Sequence, residues 1–168
     1  MTPDNKHSRL QWSDHFSVGI PEIDEQHKTL FNLIDKIHTA ILERKGTAAC
    51  AEVLDELVDY TRIHFGLEQS LMHMGKYPEY DAHCVLHREL VTEVESLQSK
   101  IHSGQAAISF ELLHFLRTWL TKHILGEDMK YAAFFASNEL SGFNAWAERS
   151  SKVVNAHQKK WWKRLKFW

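Results

Sequence analysis

Seven side chains of the kinds that bind transition metals recur at helical spacing in four separate segments of this 168-residue chain. They are His27, His64, Glu68, His83, His87, His123 and Asp128. Imidazole together with carboxylate is the ligand set of a borderline transition metal such as iron, whereas calcium and magnesium prefer oxygen ligands. Seven ligands are too many for one ion, and carboxylates can bridge two. The pattern therefore predicts a binuclear metal site.

The distances from these residues to the predicted turns support one shared site. His27 precedes Gly46 by 19 residues and His64 follows it by 18, so that both lie roughly 28 Å from this turn at about 1.5 Å per residue. His123 follows the next such turn, at Gly104, by 19 residues, and the two histidines of the third segment precede it by 21 and 17. All four segments are therefore expected to deliver their ligands to one layer.

Two of the segments carry pairs with i,i+4 spacing, which project from one face of a helix: His64 with Glu68, and His83 with His87. One such pair is weak evidence for a metal, but two pairs and two further histidines at matched depth are strong evidence. The remaining histidines lie elsewhere on the helices or in terminal segments, and we interpret them as non-ligands: His7, His15, His38, His73, His102, His114 and His157.

The fourth segment leaves its carboxylate open. Asp128 follows His123 by five residues, which rotates it by about 140° in a regular helix. Glu127, at i+4, fits the spacing better. A local widening or π-bulge at Gly126 could bring Asp128 round to the face of His123. Spacing alone does not choose between the two carboxylates.

Helical periodicity predicts four long helices, joined by short connections. They run from about Pro21 to Lys45, from Thr47 to Met74, from Glu79 to His102 and from Ala106 to Phe135. Pro21 suits a first helical turn, Gly46 can end the first helix, and Thr47 can cap the second. The residues expected to face inward are Ile23, Leu30, Ile34, Ile37, Ile41, Val53, Leu54, Leu57, Tyr60, Leu71, Leu86, Leu90, Val94, Leu97, Ile101, Leu112, Leu113, Leu116, Trp119, Leu120 and Ile124.

Short connections force neighbouring helices to be antiparallel, so the predicted fold class is all-α, an up-down-up-down antiparallel four-helix bundle with a C-terminal amphipathic extension. The predicted organisation is an N-terminal arm (1–20), the bundle (21–135), and a linker with a basic and aromatic tail (136–168). Two cysteines make no disulfide framework, and the N-terminus lacks the apolar core of a signal peptide. We therefore expect a cytoplasmic protein, with a monomer as the default.

The motifs that carry these ligands resemble the hemerythrin family, specifically its single-domain bacterial members, over roughly residues 10 to 135. They read "W…VGIPEIDEQHKTLFNLI", "HFGLEQSLM", "YPEYDAHCVLH" and "WLTKHILGEDMKY". The resemblance implies two iron ions (Fe2+/Fe3+) with an oxo or hydroxo bridge. It assigns His83, His87 and His123 to one iron and His27 and His64 to the other, with Glu68 and Asp128 bridging. It thereby selects Asp128 over Glu127.

The resemblance also implies a function. With one ligand fewer, the second iron keeps an open position, where O2 is expected to bind reversibly, so that the protein is a carrier, store or delivery protein and not an enzyme. An apolar pocket that excludes water is expected from Trp119, Leu120, Ile124 and Tyr131. Alternatives are a sensor that acts through a separate partner, and a di-iron peroxidase or a nitric oxide- or iron-handling protein. Di-iron oxidases usually carry Glu-x-x-His pairs, which are absent among these seven ligands.

The C-terminal tail has a charge pattern of its own. Residues 159–168 hold five basic and no acidic residues, while the rest of the chain holds 15 basic and 22 acidic residues, which argues against nucleic-acid binding. Val154, Trp161, Leu165 and Trp168 fall on one helical face. This pattern favours attachment at the inner face of the membrane, to an anionic membrane surface or a membrane protein; the alternatives are a helix packed back on the bundle and a disordered end. The tail residues assigned to this contact are Lys159, Lys160, Trp161, Trp162, Lys163, Arg164, Leu165, Lys166 and Trp168.

Overall fold

The computed structural model describes residues 9–138 and 140–165, without the side chains of residues 164 and 165. The described part is helical and contains no strand. Its helices are α1 (Pro21–Leu42), α2 (Thr47–Met74), α3 (Tyr80–His102), α4 (Phe110–His123), α5 (Met129–Ala136) and α6 (Phe143–Leu165). A π-helical turn (Ile124–Asp128) joins α4 directly to α5, so these three pieces form the fourth rod of the bundle.

The predicted bundle is confirmed. α1 packs against α2 and α4, and α2 also packs against α3, as expected from short connections between antiparallel neighbours. A continuous apolar core runs through these helices and includes Leu30, Leu54, Leu90 and Leu116. None of the helices within the described ranges is both long and apolar enough to cross a bilayer.

Local sequence signals account for most helix boundaries. Pro21 occupies the first turn of α1, and Gly46 takes a φ of 89°, a left-handed value that suits glycine. Gly46, however, is itself the N-cap of α2, and Thr47 is the first helical residue, so the prediction that Thr47 caps the helix was wrong. α4 begins at Phe110, later than predicted, because the Ser109 side chain accepts a hydrogen bond from the Leu112 backbone N–H and caps the helix there.

The residues predicted to face inward are buried or half-buried with one exception, Leu86, which is 37% exposed. The buried face of α3 carries His83, His87, Leu90 and Val94, which follow each other at spacings of three and four. Leu86 lies at the edge of that face, turned about 70° from its middle at about 100° per residue. The prediction of Leu86 as a core residue was wrong for this reason.

The N-terminal arm lies against α1. The carboxylate of Asp24 accepts hydrogen bonds from the Ser17 hydroxyl at 2.6 Å and from the Val18 backbone N–H at 2.8 Å. The Trp12 ring meets the Phe31 ring edge-on, with 5.6 Å between the ring centroids. These contacts hold the arm next to the middle of the bundle.

The C-terminal helix α6 packs back on the bundle, against α2 and α1. Trp146 is 1% exposed, and its indole N–H donates to the Leu67 carbonyl at 3.1 Å. Trp161 is also buried, and Val154 packs against the core. Because only 6% of Trp161 is exposed, little of its ring is available for the predicted contact with a membrane or partner.

Candidate metal centre

The bundle brings all seven predicted ligands into one buried cluster. α1 supplies His27, α2 supplies His64 and Glu68, and α3 supplies two histidines. His123 ends α4, and Asp128 ends the π-helical turn. None of the seven is more than 6% exposed. Within the described residues, these side chains form two groups whose donor atoms lie within 4.8 Å of one another.

The first group contains three histidines. The Nε2 atoms of His83 and His87 are 2.9 Å apart, and those of His87 and His123 are 3.1 Å apart. Asp128 Oδ1 lies 3.0 Å from Nε2 of His123 and 3.4 Å from Nε2 of His83. Glu68 Oε2 completes the group, 3.3 Å from Nε2 of His87.

The second group contains two histidines and shares both carboxylates with the first. Nε2 of His27 lies 3.2 Å from Asp128 Oδ2 and 3.8 Å from Glu68 Oε1. Nε2 of His64 lies 3.5 Å from Glu68 Oε2. Each carboxylate therefore faces both groups, which is the arrangement that a pair of bridged ions needs.

The π-helical turn decides which carboxylate enters the cluster. Its wider winding accommodates one more residue than a regular turn and brings Asp128 to the face of His123. Glu127 points outward instead and forms an ion pair with Lys130 at 2.9 Å. The structure thus places Asp128, and not Glu127, among the histidines.

The cluster has the chemistry of a metal site. Buried polar atoms normally have hydrogen-bond partners. Here both ring nitrogens of His27, both carboxylate oxygens of Asp128 and Oε2 of Glu68 are buried without a hydrogen-bond partner among the described residues. Donors bound at about 2.1 Å to one ion in adjacent positions are roughly 3 Å apart, close to the distances between the Nε2 atoms. The donor set and its spacing therefore fit two transition-metal ions.

The electrostatics of the cluster favour ionised carboxylates. Burial opposes ionisation of Asp128, but His123, His27 and His83 outweigh it and lower the pKa of the carboxyl well below its ordinary value. Burial and the charge of Asp128 oppose ionisation of Glu68, yet the surrounding histidines lower its pKa too.

The two histidines of the second group shift in opposite directions. Burial works against a charged His27, but the nearby carboxylates of Asp128 and Glu68 outweigh it and raise the pKa of His27 to about 9. Burial lowers the pKa of His64 to about 3. A metal ion bound to the cluster would take the place of the proton on His27, as ligand imidazoles must be neutral.

Second contacts orient the ligands, and three of these were not predicted from the sequence. Gln26 Oε1 lies 2.9 Å from Nδ1 of His64, and the Gln69 amide lies 3.2 Å from Nδ1 of His87. The Tyr131 hydroxyl donates to Glu68 Oε1 at 2.6 Å. The available signal was that each glutamine directly adjoins a predicted ligand in the sequence, where a long amide can reach a neighbouring ring.

The four residues predicted to form an apolar pocket take different places. Trp119 stacks on His123, with 5.1 Å between ring centroids and 21° between planes. Trp119 and Leu120 line a small cavity of about 20 Å³ between the helices. The rest of its lining is Thr61 and apolar side chains such as Leu116. Ile124 is fully buried next to His123 in the sequence and lies outside that lining. Tyr131 is fully buried too, but presents its hydroxyl to Glu68.

The other predicted residues lie away from the cluster. Of the histidines interpreted as non-ligands, none of those described joins either metal-binding group, and His7 lies outside the described residues. In the tail, Lys159, Lys160, Trp162 and Lys163 are exposed, while Lys166 and Trp168 lie outside the described residues. Arg164 and Leu165 belong to the backbone of α6.

Comparisons with known proteins agree with this cluster. The family model of the hemerythrin HHE cation binding domain matches residues 18–135, which contain all seven residues. The chain is 37% identical to the bacteriohemerythrin of Stenotrophomonas maltophilia over 123 residues, covering 73% of this chain and 79% of that protein. It is 35% identical to the bacteriohemerythrin of Pseudomonas aeruginosa over 150 residues, covering 86% of this chain and 97% of that protein.

A solved structure extends the likeness to three dimensions. The crystal structure of a wild-type hemerythrin superposes with a TM-score of 0.71 at 31% identity, covering 75% of this chain and 97% of that one. The family match, the relatives and the shared fold agree with the buried histidine and carboxylate cluster. The chain therefore belongs to the hemerythrin family.

Proposed function

We propose that this protein binds O2 reversibly at a di-iron centre and thereby carries, stores or delivers oxygen. In the proposed assignment, His83, His87 and His123 hold one iron, His27 and His64 hold the other, and Glu68 and Asp128 bridge them. The observation that carries the proposal is the unequal number of histidines around two shared carboxylates. Bound there, a ferrous pair would supply electrons for O2 binding at the less coordinated iron.

The residues around the cluster support reversible binding over turnover. The side chains beside the ligand imidazoles are largely apolar or aromatic: Phe65 stacks on His87 with 3.7 Å between ring centroids and Trp119 covers His123. Such walls exclude water and protons and slow the loss of a reactive adduct. The Tyr131 hydroxyl is already committed to Glu68 at 2.6 Å. Tyr131 thus holds a bridging ligand in place.

The test is an oxygen titration of iron-loaded protein. The chain is expressed with ample iron, reduced without oxygen, exposed to O2 and then deoxygenated, while iron content and the visible spectrum are followed. We expect two irons per chain and a coloured adduct that disappears on deoxygenation. The His83→Ala variant should lose iron and colour, whereas His114→Ala, at an exposed position, should keep both. A colourless protein without paired iron would refute the proposal.

The same experiment separates the alternative functions. Steady consumption of O2 in the presence of a reductant would indicate a di-iron oxidase or peroxidase. A stable oxygenated spectrum indicates the carrier. A sensor would bind O2 equally well but require a separate partner, so it would differ only by an oxygen-dependent complex.

For the exposed side of α6 we propose an anionic membrane surface as partner, which would place oxygen delivery next to a membrane enzyme. Lys159, Lys160 and Lys163 are exposed, and Trp162 is 68% exposed on the same segment. Each lysine near an anionic surface contributes about 1 kcal/mol, and an interfacial tryptophan adds an anchor.

Vesicle co-sedimentation tests this partner. We expect binding to anionic vesicles that weakens with salt and is lost when the three lysines are changed to serine. Replacing Lys28, which is paired with Glu25 at 2.6 Å on α1, should leave binding unchanged. Absence of binding, or equal binding to neutral vesicles, would exclude the membrane surface.

A further inference from the structure

A chain of three buried side chains connects α6 to the metal-binding cluster. Gln26 Nε2 on α1 donates to Ser150 Oγ on α6 at 2.9 Å. The oxygen of the same amide, Gln26 Oε1, lies 2.9 Å from Nδ1 of His64 on α2. His64 directs its other ring nitrogen, Nε2, at Glu68. Ser150, Gln26 and His64 are each at most 2% exposed, so solvent does not compete for these contacts.

The polarity of this chain suits a metal ligand. An imidazole that binds a metal through Nε2 carries its proton on Nδ1 and donates it to an acceptor. Gln26 Oε1 is such an acceptor. The amide nitrogen of Gln26 then faces away from His64 and needs an acceptor, which the Ser150 hydroxyl oxygen provides. Without Ser150, the amide N–H would be buried unpaired, and Gln26 would lose the contact that fixes its side chain.

The arrangement differs from the one at the first group. There the atom next to Nδ1 of His87 is the amide nitrogen of Gln69, at 3.2 Å, and not an amide oxygen. The Phe65 ring stacks on His87, and the Trp119 ring stacks on His123. Only His64 is linked through a glutamine to α6 among the contacts of the described residues. α6 lies beyond residues 18–135, the part that the family model matches. The C-terminal extension therefore reaches one side of the proposed centre.

We propose that Ser150 is a positioning residue: through Gln26 it holds the His64 ring with Nδ1 protonated and Nε2 free to bind the metal of the two-histidine group. The inference rests on the proposed function, because it needs a metal at Nε2. α6 is on this account a structural support of the oxygen-binding side. Loss of the Ser150 hydroxyl loosens His64 and leaves the ligands of the other metal unchanged. It also weakens the electron donation from the His64 ring to the metal.

The test uses the full chain loaded with Zn2+, which is diamagnetic and permits nitrogen-edited NMR of the imidazole N–H protons. In Ser150→Ala we expect exchange of the His64 Nδ1–H with solvent to accelerate by roughly five- to tenfold, the effect of losing one ordinary hydrogen bond. The His87 Nδ1–H, which faces Gln69 Nε2 and has no link to α6 within the described part of the chain, should exchange at the same rate in Ser150→Ala as in the unaltered chain and serves as the internal control. Ser151→Ala is the matched variant, because Ser151 adjoins Ser150 on α6 but is exposed.

Two further variants separate the hydroxyl from the space it fills. Ser150→Thr keeps the hydroxyl and should restore slow exchange at His64. Ser150→Cys keeps a side chain of similar volume but offers a poor acceptor, so the His64 Nδ1–H should exchange fast in this variant. Ser150→Cys also replaces the alanine variant if that variant does not fold. In iron-loaded protein, Ser150→Ala should also raise the midpoint potential of the centre, which Ser151→Ala should leave unchanged.

The outcomes distinguish this inference from the function on which it rests. If Ser150→Ala binds metal and its His64 N–H exchanges as slowly as in Ser151→Ala, α6 only packs on the bundle and the inference is wrong. If the unaltered chain binds neither zinc nor iron, the proposed function fails first. If Ser150→Ala accelerates exchange of the Nδ1–H protons of both His64 and His87 relative to the unaltered chain, the whole cluster has loosened. That result would also overturn a specific role for Ser150.

Discussion

Tyr131 shows how one hydroxyl can change the role of a side chain. Its ring is fully buried beside the cluster, at a position where the resemblance to hemerythrins predicts a pocket wall. Burial, with the nearby charges of Glu68 and Asp128, raises the pKa of Tyr131 well above its ordinary value, so the hydroxyl stays protonated and donates to Glu68. It therefore orients a carboxylate that faces both groups.

Replacing Tyr131 with phenylalanine tests this role. Hydrogen bonds to charged groups contribute about 1.5–3 kcal/mol, so Tyr131→Phe should lower the free energy of unfolding of metal-free protein by roughly that amount in urea titrations. Tyr77→Phe is the control, because its hydroxyl lies 3.5 Å from Glu79 and should matter less. An equal decrease in the free energy of unfolding in both variants would show that the hydrogen bond from Tyr131 to Glu68 contributes no extra stability.

The π-helical turn is the element that determines which carboxylate faces the histidines. It buries Asp128 among the histidines and leaves Glu127 with Lys130. Asp128→Asn keeps the shape but removes the charge, so we expect it to lose most of the bound iron, measured per chain by metal analysis. Glu127→Gln should keep the full amount. Retention of iron by Asp128→Asn would disprove its place as a bridging ligand.

At Gly75 the end of α2 meets the last turn of α5 and the segment that follows it. A Cβ there would collide with the Phe135 ring and lie 2.6 Å from Leu140 Cδ1. Gly75→Ala should therefore destabilise the protein by about 1–3 kcal/mol. Gly66→Ala is the opposite case: it lies within α2 with open space around it, so the change should stabilise by about 0.5–1 kcal/mol. Thermal unfolding of both variants should show a lower melting temperature for Gly75→Ala and a higher one for Gly66→Ala than for the unaltered chain.

These elements show what sequence reasoning could reach. The layer of ligands was predictable because helical rise is constant, so that matched distances from Gly46 and Gly104 determine equal depth. The choice between Glu127 and Asp128 was not, because it depends on the π-helical turn. Gly126 gave no decisive signal: it has no left-handed φ, and a Cβ there would meet nothing. The wide turn therefore does not require glycine at this position.

At the scale of the whole molecule, α6 makes the C-terminal extension part of the folded unit. An amphipathic pattern shows that a helix has an apolar face but not what covers it, so the sequence of the tail allowed both a membrane and the bundle. Trp146, which was not among the predicted core residues, is the largest fully buried side chain of α6 among the described residues. The bundle covers this face of α6, whereas the lysines and Trp162 remain outside.

Trp146 and Trp162 provide a matched pair to measure this packing. Trp146→Ala should lower the free energy of unfolding by about 3–5 kcal/mol, because it empties a buried site. Trp162→Ala, at a side chain that is 68% exposed, should change it by less than about 0.5 kcal/mol. Urea unfolding of both variants, followed by circular dichroism, measures the difference. A small effect at Trp146 would mean that α6 contributes little to the fold.

Two of the tryptophans that the structure describes lie beside histidines of the cluster. Trp119 stacks on His123, and the Trp12 ring centroid is 6.3 Å from that of His27. One indole therefore borders each half of the cluster, and an ion with a partly filled d shell quenches excited indoles at such range. The fluorescence intensity of these two tryptophans should therefore decrease in two steps as the two groups of the cluster bind iron. Tryptophan fluorescence thus reports the iron occupancy of each group without an added label.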